Sequence, residues 1–198
     1  MVIDNFRALN IRKLIVDFGE EGVRNAIDNF SCPLNPEVEN FLKKNAINFT
    51  KKSQSVTYFV FQRPIKEDLL PVGFFTLTIK PLTIGINDIK SNTQRKKIER
   101  ICKLDEKTQS YTMAAYLIAQ LGKNFYHGFN EKISGDELLD AALYITKNLQ
   151  YQAGGMIVFV ETEAEKKLID FYDRNYFSLL EKINNLKNTD LIQFFRLL

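Results

Sequence analysis

The second half of the chain alternates strand-like and helix-like segments, and this alternation constrains the fold more than any other feature of the sequence. The segments are, in order, YTMAAYLIAQLGK, SGDELLDAALYITKNLQ, GGMIVFVE, AEKKLIDFYDRNY and TDLIQFFRLL. The first, third and fifth are rich in β-branched and aromatic residues, whereas the other two repeat apolar residues at helical spacing. A strand–helix–strand–helix–strand order predicts right-handed crossover connections over one sheet.

The first half of the chain predicts helices and an antiparallel hairpin. The hairpin joins SVTYFVFQ to VGFFTLTIKPLTI through a polar turn, and a basic helix, NTQRKKIERICKL, follows it. The elements predicted before the hairpin are a strand at Phe6–Ile11, helices at Arg12–Phe18 and Glu20–Asn29, and a helix in NPEVENFLKKNAINFTKK. Together the two halves predict one mixed α/β (α+β) domain over residues 1–198.

Composition favours a globular protein without a metal centre. The chain is 45% hydrophobic and contains 16 Phe residues, which is ample material for a buried core. Cys32 and Cys102 lie far apart and form no CxxC pattern, so we expect reduced thiols. His127 is the only histidine, which excludes a His-rich metal site.

Charge and hydropathy predict a soluble, cytoplasmic protein. The net charge of +3 permits an anionic cofactor or RNA but requires neither. Charged residues interrupt the apolar run at the N-terminus, so no signal peptide is predicted. No apolar stretch approaches the length of a membrane span, and we expect no membrane partner.

A loop that leads into a helix carries the one pattern typical of an anion site. Ser134 and Glu137 have the spacing of a capping box, and Gly135 between them lets the backbone turn closely. Free amides and positive partial charge at such a helix start can hold a phosphate. An ordinary capped helix is the alternative, since Asp136 and Glu137 would repel a pyrophosphate that they faced.

Several of these segments, taken in order, resemble the GNAT superfamily of acyl-CoA-dependent N-acetyltransferases. YLIAQLGK resembles its central strand, KISGDELLDAAL its pyrophosphate loop and helix, and FYDRNYF its F-Y-x-x-x-G-F signature, with Tyr176 in place of the glycine. The segments FSCPLNPEVENFLKKNAINF, VTYFVF and VGFFTLTI resemble a bacterial branch that includes toxins acetylating the amino acid on charged tRNA.

The resemblance implies a fold and a cofactor site. The fold would be a GNAT-like domain whose central, mostly antiparallel sheet is splayed at the cofactor cleft, with helices on both faces. The cofactor would be acetyl-CoA. Its pantetheine and thioester would be held by the backbone of Leu121, Gly122 and Lys123, and its pyrophosphate by the loop residues Lys132, Ile133, Ser134, Gly135 and Asp136. Lys132 could equally be a solvated loop lysine.

The resemblance also implies the catalytic residues. Tyr172 would protonate the leaving sulfur as a general acid, and its alternative role is to pack in the core like its neighbour Phe171. Glu161 is the candidate general base, with Glu163 as a second carboxylate close by. His127 is expected on the surface of the loop on the cofactor side.

The predicted partners are an amine acceptor and, as an alternative substrate, tRNA, and a homodimer is left open. A cluster of basic residues in the helix after the hairpin could contact an RNA backbone or be a solvated face; its members are Arg95, Lys96, Lys97 and Arg100. The predicted function is transfer of an acetyl group from acetyl-CoA to a primary amine. The alternatives are acetylation of aminoacyl-tRNA, binding of acyl-CoA without catalysis, and binding of nucleic acid without a cofactor.

Overall fold

The structure is a computed structural model of the chain and describes residues 5–64, 69–180 and 191–198. In the second half of the chain, strands and helices alternate as predicted, up to the last two strands. The helices are α1 Ile11–Asp28, α2 Pro36–Lys44, α3 Ala46–Lys51, α4 Asn92–Glu99, α5 Gly135–Ala153 and α6 Lys166–Arg174. The strands are β1 Phe6–Asn10, β2 Val56–Gln62, β3 Gly73–Gly85, β4 Ser110–Lys123, β5 Ile157–Glu163, β6 Ser178–Leu179 and β7 Leu191–Leu197.

The seven strands form one sheet in the order β1-β2-β3-β4-β5-β7-β6. The pairs β1–β2 and β2–β3 are antiparallel, which confirms the predicted hairpin. Strand β4 pairs with β5 in parallel at two positions, Tyr116↔Val158 and Leu117↔Phe159. The predicted crossover through α5 therefore exists.

The second crossover, predicted to lead from β5 through α6 to β7, is wrong. Strand β7 lies between β5 and β6 and runs antiparallel to both, so β5 and β6 share one direction. Helix α6 therefore leads from β5 to the short strand β6, and β7 reverses the chain direction once more. A strand of two residues has no visible alternation, which is why the sequence did not reveal β6.

Local backbone chemistry sets the helix boundaries. The side chain of Asn10 accepts a hydrogen bond from the Arg12 amide at 2.8 Å and thereby starts α1. Gly19 interrupts α1 with φ +74° and ψ 166°, so the two predicted helical pieces are confirmed. The single helix predicted from Asn35 to Lys52 is instead two, because Asn45 ends α2 and begins α3.

The chain forms two compact units, each built from two segments. The first unit comprises Met1–Thr78 and Ile118–Leu149, and the second comprises Ile79–Leu117 and Gln150–Leu198. Fully buried aromatic residues fill both cores: Phe30, Phe59, Phe61 and Phe74 in the first unit, and Tyr111, Phe159, Phe194 and Phe195 in the second. Of the helices described, none has the length and apolar character that crossing a bilayer requires.

Candidate functional site

The predicted thioester-binding residues Leu121, Gly122 and Lys123 are the last three residues of β4. Gly122 is buried, and its neighbours are half-buried. A Cβ atom at Gly122 would lie 2.7 Å from Cγ1 of Val38 in α2 and 3.1 Å from Cε1 of Phe74. Because a side chain does not fit there, glycine allows α2 to pack closely on the end of β4 and hold its backbone in place.

The end of β4 and the start of α5 meet at Gly73, the first residue of β3. A Cβ atom added to Gly73 would lie 3.0 Å from the carbonyl oxygen of Gly122 and 3.0 Å from Cδ1 of Leu138 in α5. Leu138 is the fourth residue of α5, in the turn that follows Ser134. The first unit therefore brings together the strand end and the loop–helix segment, which the sequence predicted as separate parts of the cofactor site.

The capping box predicted at the start of α5 is present. The amide of Ser134 donates to Oε2 of Glu137 at 2.7 Å, and the amide of Glu137 donates to Oγ of Ser134 at 3.1 Å. This exchange turns the Glu137 carboxylate back towards the loop backbone. The amide of Gly135, at the first helical position, has no acceptor within the helix and can meet an anion.

The loop before α5 adds one positive side chain. Lys132 is exposed, and its Nζ lies over the ring of Phe129 at 4.2 Å from the centroid. Ile133 is buried and anchors the loop, whereas Asp136 is half-buried in the first turn of α5. An ammonium group, a helix-terminal amide and the positive end of a long helix form a donor set that fits the pyrophosphate of coenzyme A.

Asn124, directly after β4, is a residue that the sequence did not single out. Its side chain is fully buried and makes four hydrogen bonds to the backbone. Nδ2 donates to the carbonyl oxygens of Asn29 (3.1 Å) and Pro71 (2.8 Å), while Oδ1 accepts from the amides of Ser31 (3.1 Å) and Tyr126 (2.9 Å). Asn124 thus ties the chain leaving β4 to two other loops of the first unit.

Tyr172 lies on α6 in the second unit and is only 7% exposed. Its ring contacts three aromatic rings, those of Phe171, Phe177 and Phe194, with centroids at 5.0, 5.5 and 5.5 Å. The ring therefore packs as a core residue, which was one of the two alternatives weighed from the sequence, and the catalytic role of its hydroxyl stays a prediction. Burial raises the pKa of Tyr172 to about 12, so its phenol stays protonated at neutral pH.

The raised pKa of Tyr172 predicts a loss of stability at alkaline pH. Its folded-state pKa of about 12 exceeds the unfolded-state value near 10, so the unfolded chain releases the proton first. The contribution is intact below pH ~10 and is lost as the pH rises towards ~12. We expect the free energy of unfolding to fall by about 1.4 kcal/mol more between pH 9 and pH 11 in the wild type than in Tyr172→Phe.

Denaturant unfolding at the two pH values measures this difference. Tyr151→Phe is the matched control, because Tyr151 is 92% exposed and also lies in the second unit. The control should lose as much stability as the wild type does. Equal losses in all three proteins would mean that burial does not raise the pKa of Tyr172.

Glu161, the candidate base, is exposed on β5 and accepts a hydrogen bond from Nε2 of Gln193 at 2.8 Å. Gln193 is its cross-strand partner on β7, whereas the next residue of β7, Phe194, carries the ring against Tyr172. Because successive strand residues point to opposite faces, Glu161 and Tyr172 lie on opposite faces of the sheet. The structure therefore does not bring these two residues together.

His127 and Glu163 are both exposed, and none of their described contacts is with another candidate catalytic residue. His127 is exposed, with φ +48°, and its ring contacts that of Tyr126 at 4.1 Å between centroids. This agrees with the expected surface position. Glu163 is exposed at the last position of β5, opposite Leu191 of β7.

Sequence comparisons find no relatives for this chain: no protein-family model matches it, and no curated protein sequence does. Solved structures do match. AtaT complexed with acetyl-methionyl-tRNAfMet is 14% identical, with 96% of this chain and 94% of that chain covered and a TM-score of 0.63. A tyrosine-to-phenylalanine mutant of KacT is 16% identical, with 98% and 95% covered and a TM-score of 0.65.

AtaTR bound with acetyl-CoA also matches, at 14% identity, with 97% of this chain and 94% of that chain covered and a TM-score of 0.61. Identities this low show a shared fold and nothing finer. The predicted mixed α/β fold is thereby confirmed, because AtaT and KacT share it over nearly the whole length of this chain.

Proposed function

We propose that this protein is an acetyl-CoA-dependent N-acetyltransferase whose acceptor is the α-amino group of aminoacyl-tRNA. The observation that carries the proposal is the fold shared with AtaT, which has been solved with acetyl-methionyl-tRNAfMet and, with AtaR, bound to acetyl-CoA. The donor set at β4 and α5 supports the same cofactor. The acceptor predicted from the sequence was a primary amine of unknown identity, and this proposal adopts the stated alternative, aminoacyl-tRNA.

The first unit would bind the cofactor. When bound, acetyl-CoA supplies a thioester: the amine nitrogen bonds to the acetyl carbon, the carbon–sulfur bond breaks, the amine loses one proton and the sulfur takes one. The backbone at Leu121, Gly122 and Lys123 would orient the acetyl group and donate hydrogen bonds where negative charge develops. Lys132 and the amide of Gly135 would hold the pyrophosphate.

Tyr172 would assist the departure of the sulfur. A phenol with a pKa of about 12 is a weaker acid than a thiol with a pKa near 8.5, so complete proton transfer from the resting enzyme is uphill by about 5 kcal/mol. Its main contribution is therefore a hydrogen bond that strengthens as the carbon–sulfur bond breaks, and the departing thiolate takes its proton from solvent water. A hydroxyl that remains protonated at every physiological pH is suited to this role.

The proton of the amine requires another acceptor. Glu161 faces away from Tyr172, so a direct transfer to its carboxylate would require the acceptor amine to lie on the opposite side of the sheet. We therefore assign this proton to solvent water. The fraction of uncharged amine then limits the rate at low pH, since an α-amino group has a pKa of about 7.7–8.0.

Two measurements test the proposal. At a hundredfold excess over Kd, acetyl-CoA should stabilise the protein by about 2.7 kcal/mol, a melting shift of roughly 5–10 °C for this chain length. Radiolabel from acetyl-CoA should then pass to charged tRNA. Deacylated tRNA, which has no α-amino group, and a small amine such as glycinamide are the controls.

Three outcomes are informative. Labelling of charged tRNA alone supports the proposal as stated. Labelling of glycinamide at an equal rate would favour the original prediction, an acetyltransferase that acts on primary amines. A melting shift without any transfer would indicate an acyl-CoA-binding module, and no shift at all would contradict the cofactor assignment.

A further inference from the structure

One segment of the second unit carries a net positive charge. Residues 86–109 contain seven basic and four acidic side chains, a net charge of +3, which equals that of the whole chain. Helix α4 lies in this segment and carries three exposed basic residues, Arg95, Lys96 and Lys97, and a fourth, Arg100, directly follows its last residue. Arg95 is paired with Glu99 at 2.8 Å, whereas the other three have no ion-pair partner among the described residues.

An exposed aromatic residue stands in a strained conformation in the same unit. Tyr176, after α6, has φ +64° and is 80% exposed. A left-handed backbone destabilises a residue with a side chain by roughly 1–2 kcal/mol, and burial of this ring does not offset it. The guanidinium of Arg196 lies 5.7 Å from the ring centroid and also donates from Nη1 to the carbonyl oxygen of Asn175 at 3.0 Å.

A second arginine and aromatic ring lie one turn away. The guanidinium of Arg174 is 4.9 Å from the ring centroid of Phe171. Aromatic rings that alternate with guanidinium groups are typical of surfaces on which unpaired bases stack. Helix α4 alone lacks this feature, because its basic residues have no aromatic residue between them.

One contact places α4 beside this aromatic turn. Nε2 of Gln94, in the first turn of α4, donates to Oγ of Ser178 at 3.3 Å, and Ser178 is two residues after Tyr176. Oε1 of the same Gln94 is buried without a partner among the described residues. The basic helix and the exposed ring are therefore neighbouring parts of one surface.

We infer that this surface binds the single-stranded 3′ end of the tRNA substrate, and the inference rests on the proposed function. Lys96, Lys97 and Arg100 contact backbone phosphates, while Tyr176, held by Arg196, stacks against an unpaired base. Phosphate contacts alone would suit any nucleic acid. The exposed ring of Tyr176 is the element that selects a single strand, because only unpaired bases can stack on it.

Tyr176→Gly is the decisive variant, because glycine adopts φ +64° without strain and the fold is expected to be retained or stabilised. Binding is measured by fluorescence anisotropy with two transcripts: a deacylated tRNA with its CCA end, and the same tRNA without its last three nucleotides. The variant should bind the complete tRNA roughly 5- to 150-fold more weakly than the wild type. Its affinity for the shortened tRNA should equal that of the wild type.

The basic helix is tested by the double variant Lys96→Ala/Lys97→Ala. Loss of two phosphate contacts should make the slope of log K against log salt concentration less negative by about 1.4 for a single strand. The matched controls are Tyr151→Ala for the exposed ring and Lys44→Ala/Lys52→Ala for exposed charge, and both should bind like the wild type.

Several results would overturn the inference. They are unchanged affinity of Tyr176→Gly for the complete tRNA, an equal loss for both transcripts, no binding of either transcript by the wild type, and displacement of the tRNA by a polyglutamate peptide at equal affinity. Failure of the proposed function has a different signature. In that case tRNA binding depends on Tyr176, but acetyl-CoA causes no melting shift or no acetyl group reaches charged tRNA.

Discussion

Tyr172→Phe is expected to lower kcat by about 10²–10³, as loss of one hydrogen bond to developing negative charge does, while leaving the affinity for acetyl-CoA unchanged. The substitution removes a single hydroxyl from a ring that is otherwise held by three aromatic neighbours, so packing is conserved. The lost interaction strengthens only as the carbon–sulfur bond breaks, and such interactions affect kcat and not substrate binding. Thiol release under saturating acetyl-CoA and charged tRNA measures kcat, and the melting shift reports cofactor binding.

The pH profile of the wild type provides a second signature of the same hydroxyl. The rate should rise as the acceptor amine loses its proton and then stay level up to about pH 11, because the Tyr172 pKa is about 12. A phenol with an ordinary pKa near 10 would instead give a falling limb close to that value. The profile must be recorded below the pH at which the protein unfolds.

Tyr151→Phe is the control for Tyr172→Phe, since it removes the hydroxyl of an exposed tyrosine. It should retain the kcat of the wild type. Full activity in Tyr172→Phe would show that the hydroxyl has no part in catalysis and that the residue serves the core alone. A raised KM with an unchanged kcat would assign it to substrate binding.

The sequence predicted interactions whose partners lie close together in the chain. Ser134 and Glu137 are three residues apart, and their reciprocal hydrogen bonds follow from that spacing. The break at Gly19 was likewise readable, because glycine adopts conformations that other residues avoid. The strands along the chain were predicted except for β6, which has two residues and no periodic pattern.

The sequence could not predict interactions whose partners lie far apart in the chain. Asn124 bonds to groups 53, 93 and 95 residues away, and an asparagine after a strand otherwise reads as a turn residue. Gln94 and Ser178 are 84 residues apart. The opposite orientations of Glu161 and Tyr172 depend on the register of β5 and β7, and register is a property of the assembled sheet.

Asn124→Leu is expected to lower the free energy of unfolding by at least about 4 kcal/mol, which is a melting shift of roughly 8–16 °C. Leucine has a similar volume but makes no hydrogen bonds. Two carbonyl oxygens, of Asn29 and Pro71, lose their donor, and two amides, of Ser31 and Tyr126, lose their acceptor. Each buried polar group left without a partner destabilises the fold by about 1–3 kcal/mol.

Asn124→Asp distinguishes the hydrogen bonds that the side chain accepts from those that it donates. The carboxylate can still accept from the amides of Ser31 and Tyr126, but it places negative charge beside the carbonyl oxygens of Asn29 and Pro71. Protonation relieves that repulsion and restores one donor. The stability of this variant relative to the wild type should therefore increase as the pH falls from 7 to 5, whereas that of Asn124→Leu should not depend on pH.

Loss of Asn124 should also weaken cofactor binding, because the residue holds the chain where β4 ends at Lys123. The affinity for acetyl-CoA of both variants is measured at 10 °C, well below their melting temperatures, and compared with Asn148→Leu, a half-buried asparagine of α5. A variant that is destabilised but binds acetyl-CoA like the wild type would show that Asn124 stabilises the fold without affecting cofactor binding. Destabilisation of less than about 1 kcal/mol would mean that water replaces the lost hydrogen bonds, and the backbone of β4 would then owe its position to the close packing at Gly122.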